Sequence, residues 1–148
     1  MAKYKFSKRS LNNLKNCHPD LIKIANEAIK YVDFTIIEGH RSIEQQKENI
    51  KKGVSQTLKS KHCEAPARAM DIIPYPFKGW NDTKDMDRVT KVILECARKL
   101  GIPARRGSDW NMNDNTRDEK FYDGPHIELM NEKELEAAKK RYGNNIKY

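Results

Sequence analysis

Apolar positions in HPDLIKIANEAIKYVD recur at helical spacing, at Leu21, Ile24, Ala25, Ala28, Ile29 and Val32, and Pro19 suits a first turn. The spacing predicts an amphipathic helix. The next segment, FTIIE at 34–38, is β-branched and aromatic and ends at Gly39, which predicts a strand running into a loop. Ser42 and Gln45 form a capping-box pattern that opens a second helix, with Gly53 as its stop. Residues 54–68 lack periodicity and contain Pro66, so they are expected to be mostly loop before a strand at ARAMDII, which Pro74 and Pro76 end. From Asp82 to Leu100 a second stripe (Met86, Val89, Ile93, Cys96, Ala97, Leu100) predicts a long helix stopped by Gly101, with Cys96 in the core. IPARRG is a short strand candidate, SDWNMNDNTRDEK a polar loop, and FYDGPHIEL a strand interrupted by polar residues. Asn131 and Glu134 are placed to cap a last helix over EKELEAAKKRYG. Helices and short strands mix without a regular βαβ alternation, so the fold class expected is α+β, a small, mainly antiparallel sheet flanked by helices.

With 148 residues the chain fits one domain over 1–148, large enough to bury a core without disulfides, and no linker or repeat marks a separate binding domain. No run approaches the roughly 18 apolar residues of a membrane span. The basic start MAKYKFSKRS leads into polar NNLKNCHPD, so no secretory signal is expected and the chain is expected to be made in a cytoplasm. Cys17, Cys63 and Cys96 are an odd set without a close pair, which argues for reduced thiols and against a multi-cysteine zinc knuckle. The formal charge of +8 draws the protein to anionic polymers without choosing among nucleic acid, lipid and cell-wall polymers. Against nucleic acid, aromatics are not interleaved with the basic residues in a stacking pattern. The lysine-rich KKGVSQTLKSK and AAKKRYG are most simply solvated faces.

Chemistry concentrates on two of the four histidines. His126 follows Asp123 by three residues, and His62 precedes Asp71, which opens the apolar IIPYP segment. His62, Asp71 and His126 make a set of two imidazoles and one carboxylate. A catalytic zinc usually takes three such ligands and leaves a fourth position for water. Asp123 is then the spare carboxylate, placed to accept a proton as general base. Gly124 and Pro125 would form a tight turn that aims both side chains into one cleft. Taken singly, His126 could be a hydrogen-bonded core histidine and Asp71 a turn cap. His18 and His40 are not expected to be ligands, and Cys63 is not expected to be a nucleophile.

These segments resemble the VanY-type zinc peptidases, a group of D-alanyl-D-alanine carboxypeptidases and L-alanyl-D-glutamate endopeptidases, and most of all their phage endolysin members. SKH at Ser60 to His62, AMD at Ala69 to Asp71 and DGPH at Asp123 to His126 are similar to the family motifs for the first ligand, the second ligand, and the base with the third ligand. EGHRS resembles the segment whose arginine binds the substrate carbonyl, a role that falls to Arg41, and GSDW at Gly107 to Trp110 resembles a cleft-lining stretch with Ser108 in place of its second glycine. The interval from Cys63 to Met70, with Pro66 and no Gly, is longer than in the family's common form.

The resemblance implies a Zn²⁺ peptidase that cuts the L-alanyl-D-glutamate bond of peptidoglycan stem peptides. Zinc would sit on His62, Asp71 and His126, and Asp123 and Arg41 would be catalytic. Arg41, Ser60 and Trp110 would contact substrate. Other roles stay open for these last three: Arg41 could only pair with Glu38, Ser60 could only bond backbone in its loop, and Trp110 could only pack its ring on the surface. The enzyme is expected to be a monomer that reaches the wall after release from the host cytoplasm, adsorbing there by charge. A D-alanyl-D-alanine carboxypeptidase and a non-catalytic basic module binding cell wall or nucleic acid are the alternatives.

Overall fold

The computed structural model describes residues 4–53, 60–113, 123–143 and 146. Among them are helices α1 (Lys8–Leu14), α2 (Pro19–Ala28), α3 (Ile43–Lys51), α4 (Thr83–Lys99) and α5 (Glu132–Tyr142), and strands β1 (Phe34–Glu38), β2 (Ala69–Pro74), β3 (Ala104–Arg106) and β4 (His126–Leu129). A 3-10 turn spans Lys61–Cys63. The strands form one sheet in the order β1-β2-β4-β3, antiparallel throughout, which bears out the α+β expectation. No helix of the described residues is long and apolar enough to cross a membrane. Residues 54–59 of the expected loop, 114–120 of the polar loop, and Phe121 and Tyr122 of the interrupted strand lie outside the described residues.

Helix boundaries follow the caps in the sequence. Ser42 accepts from Gln45 N, Asp82 from Asp85 N, and Asn131 with Glu134 closes a reciprocal capping box, each such cap worth about 1 kcal/mol. The predicted stripes are buried at Leu21, Ile24, Ala25 and Ala28 of α2 and at Met86, Val89, Ile93, Cys96 and Ala97 of α4, whereas Leu100, expected in the second stripe, lies past the end of α4 and is exposed. They pack on the sheet face that carries Phe34, Ile36, Met70, Ile72, Ile127 and Leu129, forming one core. Full burial of each large aliphatic is worth roughly 1.5–3 kcal/mol. Strand alternation then turns Asp71, His126 and Glu128 to the opposite face.

Helix α1 was not predicted, because its seven residues carry no apolar stripe. It is held by Leu14, which is buried in the core, and by its polar side chains. Ser10 Oγ accepts from Ile36 N at 3.0 Å and Asn13 Nδ2 donates to Ile36 O at 2.7 Å, so α1 covers backbone groups of β1. Of FYDGPHIEL, expected as one interrupted strand, the described residues form a strand from His126 to Leu129 preceded by a turn in which His126 N donates to Asp123 O at 3.1 Å.

Candidate metal centre

Antiparallel pairing sets Asp71 of β2 directly opposite His126 of β4. Directly opposed residues share a face, so the carboxylate and imidazole meet there. An irregularity in β1 between Ile36 and Glu38 makes Glu38, and not Ile37, the partner of Asp71. His62 arrives from the 3-10 turn, whose N-cap Ser60 accepts from His62 N at 3.2 Å. His62 Nε2 lies 3.2 Å and His126 Nδ1 3.4 Å from Asp71 Oδ1, and one ligand atom from each of the three residues lies within 4.8 Å of the other two. The long His62–Asp71 interval is tied down by Arg68 N donating to Lys61 O at 3.0 Å.

Both imidazoles have their outer nitrogen engaged. His62 Nδ1 lies 2.8 Å from Gly39 O and donates to that carbonyl, which leaves Nε2 facing Asp71. His126 Nε2 lies 2.8 Å from Glu128 Oε1, which leaves Nδ1 facing the same carboxylate. Two histidines oriented by a carbonyl and a carboxylate, converging with a third donor, form a set that fits a divalent metal ion. Glu128 is buried and salt-bridged to Lys61 at 3.0 Å and Arg105 at 2.9 Å. Arg105 also lies over the Trp110 ring at 5.2 Å, and Trp110 tilts 37° over His126 at 5.6 Å. The ring of contacts His126, Glu128, Arg105, Trp110 thus holds the imidazole by its edge and its face.

Sequence reasoning did not single out Glu128 or Arg105. Glu128 had a signal, since a residue two positions along a strand shares its face with His126. Arg105 had none, because only the β3–β4 register puts it opposite Glu128.

Asp123 enters through the Asp123–His126 turn, pinned on both sides by Gly107, which donates to His126 O and accepts from Asp123 N, each at 2.8 Å. Burial, and then the charge of Asp71, raises the Asp123 carboxyl above its ordinary value against the pull of His126, His62 and Arg41. Burial also opposes charge on Asp71, but hydrogen bonds from His126 and His62 outweigh it and hold that carboxyl well below the carboxylate range. Burial disfavours the His126 cation, yet Asp71 and Glu128 raise its pKa to about 9 among protein groups alone. For Glu128 burial is again outweighed, by His126 and then by Arg105 and Lys61, giving about 2.

Arg41 Nη2 stands 3.8 Å from Asp71 Oδ2, while its Nε pairs with Glu38 and its Nη1 donates to Gln46 Oε1 at 2.6 Å. The pairing with Glu38 and a place beside the site therefore coexist. His18 caps α2 by accepting from Asp20 N, His40 is exposed, and Cys96 is core.

A family model described as phage L-alanyl-D-glutamate peptidase matches residues 1–130. The chain belongs to this family. The peptidase is 37% identical over 138 residues to the L-alanyl-D-glutamate peptidase of Escherichia phage T5, covering 86% of this chain and 98% of that one. Its structure is similar to the crystal structure of the Serratia marcescens L-Ala D-Glu endopeptidase ChiX, with a TM-score of 0.69, 28% identity, and coverage of 95% of this chain and 96% of ChiX. In the peptidase His62 of SKH, Asp71 of AMD and His126 of DGPH meet at the sheet face opposite the core.

Proposed function

We propose that this peptidase hydrolyses the L-alanyl-D-glutamate bond of peptidoglycan stem peptides, with zinc held by His62, Asp71 and His126. The observation that carries the proposal is the convergence of two pre-oriented imidazoles on Asp71, beside a half-buried carboxyl with a raised pKa. Zinc, when bound, supplies a Lewis acid that polarises a carbonyl and makes water acidic near neutral pH.

The protein's own groups do the rest. Asp123 accepts the proton of the attacking water on its carboxylate and returns it to the nitrogen of the departing amine. The raised pKa brings that carboxyl closer to working pH, where it serves better in both transfers. Arg41, held by Glu38 and Gln46, presents a fixed positive charge to the carbonyl oxygen as it becomes negative. Trp110, packed on His126, forms a wall of the cleft, and Ser60 acts at one remove by capping the turn that carries His62. The charge of +8 supports adsorption to anionic wall polymers, the setting in which an endolysin-like enzyme works.

Digestion of purified peptidoglycan by zinc-loaded and chelator-stripped protein, with mass spectrometry of the products, tests this. A zinc-dependent new D-glutamate amino terminus is expected. Release of free D-alanine would instead establish a carboxypeptidase, and intact peptidoglycan with verified metal content would leave a binding module.

A further inference from the structure

We infer that the groove between Trp80 and the Asp123–Pro125 turn is a subsite for the amino sugar that bears the stem peptide. The inference rests on the reading that a peptidoglycan stem is the substrate. The groove has a volume of about 310 Å³ and is lined by Trp80, Met86, Asp123, Gly124 and Pro125. It therefore shares a wall, the proposed base, with the catalytic centre, and a molecule seated in it is continuous with the reacting bond.

Its other wall is unusual in being aromatic and solvent-facing. Trp80 is 60% exposed, although tryptophan is a highly buried residue type. Phe77 packs edge-on against it, ring centroids 5.0 Å apart at 70°, which holds the indole without covering it with core. The backbone is fixed as well: Asp82, the N-cap of α4, donates its N–H to Gly79 O at 3.3 Å, closing a turn around Trp80. An indole face presents the negative side of its quadrupole, which attracts the weakly positive C–H bonds on the face of a pyranose ring.

The chemistry of the substrate selects its sugar end. The stem itself offers methyl groups, carboxylates and amines, none with a flat C–H face. On the acyl side of an L-alanyl-D-glutamate bond only the alanine and the lactyl group separate the scissile carbonyl from the sugar. Two such units span at most about 7 Å, so a sugar must lie beside the catalytic centre whenever an attached stem is cut. A groove of this volume is at the small end of ligand sites, suited to one ring with its acetamido arm.

The test compares Trp80→Ala and Trp80→Phe with the parent enzyme, all zinc-loaded, on the stem tetrapeptide with and without its N-acetylmuramyl group. Trp80→Ala is expected to raise the ratio of KM for the muramyl substrate to KM for the free peptide roughly three- to tenfold, and Trp80→Phe to restore most of it. An unchanged ratio in Trp80→Ala overturns the subsite. N-acetylmuramic acid alone, followed by saturation-transfer NMR, gives a readout independent of cleavage. Signal lost in Trp80→Ala supports the subsite even if the parent enzyme cuts neither peptide, an outcome that would sink the proposed reaction alone, whereas signal equal in both proteins rejects the subsite.

Discussion

Asp123, half-buried, and Glu128, buried, are both carboxylates beside His126, yet their surroundings drive them apart. Glu128 faces Lys61, Arg105 and His126 and is held ionised, down to about 2. Asp123 is half-buried and is raised by that partial burial and then by the charge of Asp71. The first suits a fixed acceptor that orients an imidazole, the second a group that gains and loses a proton. Asp123→Asn is expected to keep its metal and lose roughly 10²–10⁴-fold in kcat, measured on a soluble stem peptide with metal content determined in parallel. Near-normal turnover would remove Asp123 as the base. Glu128→Gln is expected to weaken metal binding roughly 10–100-fold in a chelator competition. An affinity equal to the parent's would show that His126 is oriented without it. Of this pair, sequence pattern singled out Asp123 through the DGPH motif and passed over Glu128, whose partners Lys61 and Arg105 come from distant segments.

Among the elements, the turn from Asp123 to His126 works only because Gly107 has no side chain. A Cβ there would lie 2.2 Å from Asp123 O, 2.9 Å from Asp123 Cβ and 3.0 Å from His126 Cβ. Gly107→Ala is therefore expected to push the turn off β3, costing about 1–3 kcal/mol of stability, with loss of activity beyond what the unfolded fraction explains. Thermal unfolding and kcat at a temperature where the variant is folded check both; a fully active variant would show that the turn tolerates the shift. Gly39 has the same constraint at the other end of the site, since a Cβ there would lie 2.1 Å from Asn13 O of α1. GSDW was read from its resemblance as cleft lining, while the need for its glycine comes from β3 and the turn meeting at backbone distance.

For the whole molecule, the three proposed ligands come from the 3-10 turn, β2 and β4, so a bound cation adds a tie between that turn and two strands already paired by hydrogen bonds. Zinc at a thousandfold excess over Kd would add about 4 kcal/mol of stability. The pH dependence follows from His126. Its folded pKa of about 9 exceeds the unfolded value of about 6.5, so among protein groups alone the protonated ring stabilises the fold. That contribution is fully present below about pH 6.5 and is lost as pH rises through about 9. The metal takes only the neutral ring, so its own contribution grows across the same window. Calorimetry is expected to show Tm of the chelated protein falling from pH 6.5 to 9 and the zinc-induced increment rising. A pH-independent increment would mean that His126 is not a ligand. Glu128, with its lowered pKa of about 2, acts outside this window, its contribution being present above about pH 4.5 and lost as pH falls through about 2.

The amphipathic helices, their caps, the strand at 34–38 and the set His62, Asp71, His126 and Asp123 are legible in the sequence itself. Periodicity, capping chemistry and metal-ligand residue types are properties of short segments, and short segments are what a sequence displays. Helix α1, the displaced pairing of Glu38, the need for Gly39 and Gly107 to lack side chains, and the contacts joining His126, Glu128, Arg105 and Trp110 were decided only by tertiary structure. Each is an interaction between segments distant along the chain, set by strand register and by how closely two backbones approach, and neither quantity is encoded in any local pattern.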